Sequence, residues 1–454
     1  MPYDGERASR LGHVPAAANA AIDAAMQQWD IPVYTADPDL LTSLLVPRTS
    51  LAEEPRPTTK FAFAFDGSDL EIPARVEYPS VTVGFVQIAG ALVDLDAFFN
   101  SYDRDLVDPR KLRQAMDARA IQSVLPGSMI VRPGMSGVDT WRYELDQMFL
   151  NTGFTEAGAM FSLQRALLTL HGSPGVPASH VTLGRCPTCR EPDVPAQPSG
   201  STCPSCRAPL YVTDILRTHE EFADSGSNIV PFTRVMNVAE RLLSLGYLDW
   251  LFANYPASLA TTVFIQDGPL AFHGTTAPLK RRWLEYWGAV NQELARQGLL
   301  PPLVVGVEKS GTFVEHAHSI SPHLPAEHVL PLSNHYIQTR IRARDPQSVY
   351  GSDEFYGRRL IYKTSRDSVL VLTLPRTPVG DPYERDQRNG MNASAELSSY
   401  STLRSLLNVL DRVQTRLYND AVIPVALAHE ASSLPLGTGS QVLTLMAKKA
   451  LGLT

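Results

Sequence analysis

The most specific chemical signal in the chain is its cysteine usage. All four cysteines fall in one cluster, C-x2-C-x13-C-x2-C, with Cys186 and Cys189 in a CPTC turn and Cys203 and Cys206 in a CPSC turn. Each C-x-x-C turn aims two thiolates at one point, and the intervening loop lets the two turns meet around a tetrahedral Zn²⁺. A redox dithiol is the competing chemistry, but two such pairs at ribbon spacing favour the metal. Clustering of this kind in an otherwise cysteine-free chain also argues against a disulfide framework. With four protein ligands the site is closed, so the ion is expected to hold a lobe together and not to react.

A second signal is carried by carboxylates at the ends of apolar runs. FAFAF leads into Asp66-Gly67-Ser68, and TTVFIQ leads into Asp267-Gly268-Pro269. An Asp followed by a small residue at the edge of a buried strand leaves room for a ligand or metal, although Asp-Gly is also a common turn. Glu240 lies at the rim of an apolar helical stripe made by Phe232, Val235, Met236, Ala239, Leu242 and Leu243. A carboxylate there calls for a cation, a proton or a metal, unless it is simply solvated at the rim. Three carboxylates on separate elements suit Mg²⁺ or Mn²⁺, and two such ions about 4 Å apart can activate water and hold the leaving oxygen of a phosphodiester. Lys309, ending LVVGVEK, stands where a cation can grip phosphate, an ordinary surface lysine being the plainer reading. His429, ending PVALAH, can bind metal or move a proton, against the plainer reading of a hydrogen-bonded core histidine.

The elements that must position these groups follow from the pattern. At 454 residues, 44% apolar and 19% charged, the chain has material for two or three folded units or one large domain. Forty basic against 47 acidic side chains give −7, which excludes a globally basic nucleic-acid coat. The longest apolar stretch, Val81 to Val93, is interrupted by Gln87 and is too short to cross a bilayer, and MPYDGERASRLG has no apolar run behind it. No membrane span and a cytoplasmic location are expected. Residues 1–57 read as an N-terminal arm with one helix, roughly Ala16 to Trp29. From Lys60 a strand, a DGSD turn and a long buried strand begin the main fold. MDARAIQSVL and YELDQMFL read as helical, and the Pro-, Ser- and Cys-rich stretch from Val176 to Arg207 reads as an insertion. Then follow a helix from Ile229, the strand TTVFIQ, a helix from Arg282 to Gln297, and the strand LVVGV. A hairpin of RRLIYKT and SVLVLTL turns at Arg366 and Asp367. An amphipathic helix of Leu403, Leu406, Leu407 and Leu410, a last strand AVIPVALAH and a closing helix from Gln441 to Leu451 complete an α/β chain without internal repeats.

The ordered set Phe65-Asp66-Gly67-Ser68, Glu240, Gln266-Asp267-Gly268, Gly306-Val307-Glu308-Lys309 and Pro424 to Ala431 (PVALAHEA) resembles the NurA nucleases. The resemblance covers residues 58–454, a NurA-like nuclease domain with a zinc-ribbon lobe inserted at 176–212. It implies an α/β fold with an RNase H-like mixed sheet flanked by helices, similar to the nuclease domain of Argonaute proteins. It further implies a homodimer that works with a hexameric HerA-type translocase ATPase on DNA, with Mn²⁺ preferred over Mg²⁺. Carried over by position, Asp66, Glu240 and Asp267 are the carboxylate metal ligands, His429 completes the site and Lys309 faces substrate phosphate. Pro269 departs from the small polar residue usual in the family, and Tyr418 is the candidate for its functional tyrosine.

The activity expected is a DNA nuclease, a single-strand endonuclease and five-prime to three-prime exonuclease in DNA end processing or defence against foreign DNA. The alternative is a non-catalytic scaffold that docks the ATPase and guides DNA, and a zinc-ribbon DNA-binding regulator comes third. The chain has no GxxxxGK[ST] phosphate loop, so translocation energy must come from another polypeptide.

Overall fold

The computed structural model describes residues 19–29, 38–75, 77–100, 102–103, 106–107, 114–156, 158–342, 350–377, 396–414 and 422–434, with isolated positions between 443 and 449. A nine-stranded mixed sheet organises them. In chain order its strands are β1 (Val46–Pro47), β2 (Phe61–Pro73), β3 (Thr82–Asp94), β4 (Met116–Pro126), β5 (Thr262–Asp267), β6 (Leu303–Glu308), β7 (His328–Pro331), β8 (Arg358–Lys363) and β9 (Val369–Leu374). They lie side by side as β1-β7-β8-β9-β6-β5-β2-β3-β4. Strands β2, β3 and β4 form an antiparallel meander, β5 and β6 run parallel to β2, and β6 through β1 pair antiparallel.

Helices cover both faces. Among the described residues those of eight residues or more are α1 (Gly137–Asn151), α2 (Leu163–Leu170), α3 (Ile229–Asn254), α4 (Leu279–Arg296), α5 (Thr312–Ile320), α6 (Leu403–Arg412) and α7 (Ile423–Ser432). The alternation of FAFAF sorts its residues between the faces, as a period of two requires. Phe65 joins Phe264 and the helix residues Trp141, Phe149, Phe232, Leu242 and Trp287 in one core. Ala62 and Ala64 join Val263, Ile265 and Val305 in the other, under Leu406 and Leu410 of α6 and Val425 and Ala428 of α7. Small side chains on this second face let α7 sit close to β2 and β3.

Several expectations change. DGSD is not a turn, because β2 continues through it to Pro73 and pairs with β3 along its whole length. The run MDARAIQSVL is edge strand and not helix, since eleven registered pairs with β3 outweigh its local helical preference. AVIPVALAH is not a strand. Pro424 sits in the first turn of α7, where its missing N–H costs nothing, and Val425, Ala428 and Ser432 form the buried helical stripe. The end of the expected N-terminal arm is part of the sheet, with Val46 and Pro47 paired to Val329 and His328. The hairpin of β8 and β9 forms as read, with Asp367 in its turn at φ 71°. The closing helix over Gln441 to Leu451 falls largely outside the described residues. Among the described residues no helix is long and apolar enough to cross a membrane.

Candidate metal centre

The parallel register between β5 and β2 sets Gln266 beside Phe65, so Asp267, the last residue of β5, arrives beside Asp66. Asp66 is therefore mid-strand in the meander yet stands at the level where β5 ends. Gly268 turns the chain away at once with φ 87°, a left-handed conformation that suits glycine, and its N–H donates to the Val307 carbonyl at 2.8 Å. From the same side of the sheet α7 supplies His429, whose Nδ1 lies 2.6 Å from Asp66 Oδ2, while Ser432 Oγ donates to that same oxygen at 3.0 Å. Asp66, Asp267 and His429 thus offer ligand atoms within 4.8 Å of one another. Lys309 follows β6 directly and places Nζ 2.5 Å from Asp267 Oδ2. The histidine side chain is 61% exposed, so it is not a buried core histidine.

Glu240 is the expected ligand that the structure does not bring into this group. It reaches the sheet from α3, under Gly67, whose side-chain direction alternates with that of Asp66. A Cβ on Gly67 would stand 2.6 Å from Glu240 Oε1, so the glycine is what admits the carboxylate. Glu240 is 3% exposed and accepts hydrogen bonds from Arg241 Nη1 and Gln266 Nε2, each at 3.0 Å. Arg241 Nη2 also donates to the Pro269 carbonyl at 3.0 Å, which ties the loop after Asp267 to α3.

The electrostatics of the site are short of positive charge. Burial pushes the Glu240 carboxyl up to about 8, with Asp66 and Asp267 adding to the rise and Arg241 opposing it without overcoming desolvation. Burial likewise raises Asp267 to about 7, helped by Asp66 and opposed by Lys309. Adjacent carboxylates together with an imidazole form a donor set suited to Mn²⁺ or Mg²⁺, and Asp66, Asp267 and His429 could hold such an ion.

A pH dependence follows. A carboxyl whose folded pKa exceeds its unfolded value contributes stability at low pH that is lost as pH rises through the folded value. For Glu240 that loss runs from its ordinary 4.5 to about 8. Glu240→Gln should therefore melt with the wild type in EDTA near pH 5 and become the more stable of the two by pH 9. Equal melting temperatures across that range would contradict the buried-acid account.

The four cysteines also converge. Their sulfurs lie within 4.8 Å of one another, with Cys186 Sγ to Cys206 Sγ at 3.8 Å and Cys189 Sγ to Cys203 Sγ at 3.6 Å, and none is in a disulfide. The two turns have matching geometry. Arg190 N–H donates to the Cys186 carbonyl and Arg207 N–H to the Cys203 carbonyl, each at 3.0 Å, and both arginines have positive φ. The Cys203 thiol is drawn down to about 7, chiefly by the backbone N–H of Cys206. Hairpins of Val181–Arg185 with Pro192–Ala196 and of Ser201–Thr202 with Pro209–Leu210 carry the cluster. Val181, Leu183, Val194 and Leu210 join the core of α1 and α2, so the ribbon is docked and not free-standing. One Zn²⁺ per chain is expected by elemental analysis, and a folded protein without zinc would contradict the assignment.

Ser432 and Arg241 have no signal in the sequence, and Gln266, part of the Gln266-Asp267-Gly268 set, has none for its bond to Glu240. Ser432 lies three residues after His429, which is one helical face but opposite faces of a strand, so the helix had to be recognised first. Tyr418 lies outside the described residues. In the basic run from Lys280 to Arg282, Lys280 is buried and bonds the Ser352 carbonyl, while Arg281 and Arg282 pair with Glu285 at the surface.

No family model matches the chain, and no curated protein matches it in sequence. Among solved structures it is similar to the crystal structure of the NurA nuclease from Sulfolobus solfataricus, at 10% identity over 97% of this chain and 95% of that one, with a TM-score of 0.34. A second NurA crystal structure matches at 8% identity over 88% and 90% of the two chains, with a TM-score of 0.27. A third, NurA with manganese, matches at 8% identity over 95% and 96%, with a TM-score of 0.21. Likeness at this level carries no argument for fold or activity.

Proposed function

We propose that the protein is a divalent-metal-dependent deoxyribonuclease on an RNase H-like core. One observation carries the reading: Asp66 and Asp267 stand side by side on adjacent parallel strands, with the His429 imidazole on Asp66. The sheet order supports the core assignment, being antiparallel through β4-β3-β2 and parallel through β2-β5-β6.

Asp66, Asp267 and His429 would hold Mn²⁺ or Mg²⁺, which when bound supplies Lewis acidity toward a phosphodiester and lowers the pKa of water. Ser432 orients the Asp66 carboxylate for that task. Lys309 neutralises Asp267 here and is 30% exposed, placed to turn its charge toward a substrate phosphate. Glu240 stands behind Gly67 and, through Arg241, is linked to the Pro269 carbonyl. The structural Zn²⁺ at Cys186, Cys189, Cys203 and Cys206 takes no part in the chemistry. The family resemblance extends the proposal to a cytoplasmic homodimer that processes DNA ends, or foreign DNA, with a HerA-type hexameric translocase.

The test is incubation of the purified protein with labelled single- and double-stranded DNA in Mn²⁺, Mg²⁺ or EDTA, alone and with the ATPase. Cleavage in Mn²⁺ that EDTA abolishes is expected. DNA left whole under every condition would overturn the proposal in favour of a non-catalytic scaffold.

A further inference from the structure

One step beyond Asp66 on the same face of the sheet, three polar side chains stand in register across the meander. Ser68 of β2 faces Gln87 of β3, and Gln87 faces Gln122 of β4. On β3 this face otherwise reads Ala89, Ala91 and Val93, all buried and apolar, while Gln87 itself is 5% exposed. A buried amide in such a row is costly unless both of its ends are paired. Both are: Gln122 Nε2 donates to Gln87 Oε1 at 2.8 Å, and Gln87 Nε2 donates to the Ala431 carbonyl at 2.8 Å.

That carbonyl belongs to the last turn of α7, where the helix has no internal donors for its own oxygens. The neighbouring Ser432 carbonyl accepts from Ser68 Oγ, which in turn accepts from the Leu434 N–H at 3.1 Å. Two strands of the meander therefore hold the end of α7 by its backbone. The fully buried apolar residues of the helix, Val425 and Ala428, are small, with Ile423 and Leu427 packed at their margin, and the polar ties at the end of the helix add a directional restraint on sliding or rotation. A rotation by one residue, about 100°, would carry His429 away from Asp66.

We infer that Gln87, with Ser68, is a positioning residue of the metal centre, fixing α7 so that His429 Nδ1 and Ser432 Oγ both meet Asp66 Oδ2. The inference rests on the proposed reading of Asp66, Asp267 and His429 as a divalent-metal site. It assigns the polar row a task that stability alone would not demand, since an apolar residue at position 87 would fill the same sheet face.

Titration calorimetry with Mn²⁺ alone, which needs no catalysis, tests it. Gln87→Met keeps the length of the side chain without its hydrogen bonds, and Gln87→Glu keeps its shape but at neutral pH cannot donate to the Ala431 carbonyl. Both are expected to weaken Mn²⁺ binding about tenfold, as loss of a group that orients a metal ligand typically does. In a His429→Ala background, Gln87→Met should weaken it less than it does with the histidine present, because only the path through Ser432 to Asp66 remains. Ser68→Ala provides the same comparison should the Gln87 variants fail to fold, with circular dichroism as the check. Unchanged Mn²⁺ affinity in folded variants, or an equal loss with and without His429, would overturn the inference. A wild-type protein that binds no Mn²⁺ would instead overturn the metal reading beneath it.

Discussion

Asp66→Ala and Asp267→Ala are each expected to lower DNA cleavage on the order of a thousandfold or more, with a melting temperature in EDTA that stays level or rises. Loss of activity follows from removing one of two adjacent carboxylates on which divalent metal must sit. The stability expectation follows from the same crowding. Asp66 contributes to the rise of Asp267 to about 7, so deleting one charge relieves the other. Ser432 Oγ keeps a partner without Asp66, because it also lies 3.2 Å from the His429 carbonyl. Cleavage assays in Mn²⁺ and thermal melts in EDTA on the same preparations read both effects. A variant that cuts as the wild type does would place the active site elsewhere.

His429→Ala is the second large effect, a loss of cleavage of roughly a hundredfold with DNA affinity and melting temperature nearly unchanged. The histidine is mostly exposed and its imidazole bonds Asp66, so truncation leaves no cavity and no stranded buried partner. His429→Gln should not rescue the activity, since an amide neither titrates near neutral pH nor replaces imidazole as a metal ligand. A destabilised protein with undiminished cleavage would show that the histidine is structural.

What the sequence revealed differs from element to element for physical reasons. The cysteine spacing is local chemistry, and the convergence of the four sulfurs needed only two short turns. Asp66 and Asp267 were visible because each follows an apolar strand, although the reason they meet is the parallel register of β2 and β5, which no local pattern encodes. Glu240 was legible as a carboxylate at the rim of a core. Its position behind Gly67 depends on how closely α3 approaches the sheet, which is a tertiary fact. His429 was identified on the wrong kind of element: PVALAH carries enough valine, leucine and alanine to read as buried strand, and the helix is decided by Pro424 in its first turn and by packing on β2 and β3. Only as a helix does this segment bring Ser432 to the face of His429 and its last turn to the polar row of Ser68, Gln87 and Gln122. Edge strand β4 was missed for a related reason, since its exposed residues follow no clean alternation and only pairing to β3 makes it a strand.

The central claim is that Asp66, Asp267 and His429 together hold the catalytic metal. Anomalous diffraction at the manganese edge from crystals soaked in Mn²⁺ tests it most directly. The account predicts a peak bounded by Asp66 and Asp267 carboxylate oxygens and a His429 ring nitrogen, with Lys309 Nζ displaced from Asp267. Manganese bound only at other residues, or none in crystals whose protein still cleaves DNA in Mn²⁺, would contradict it.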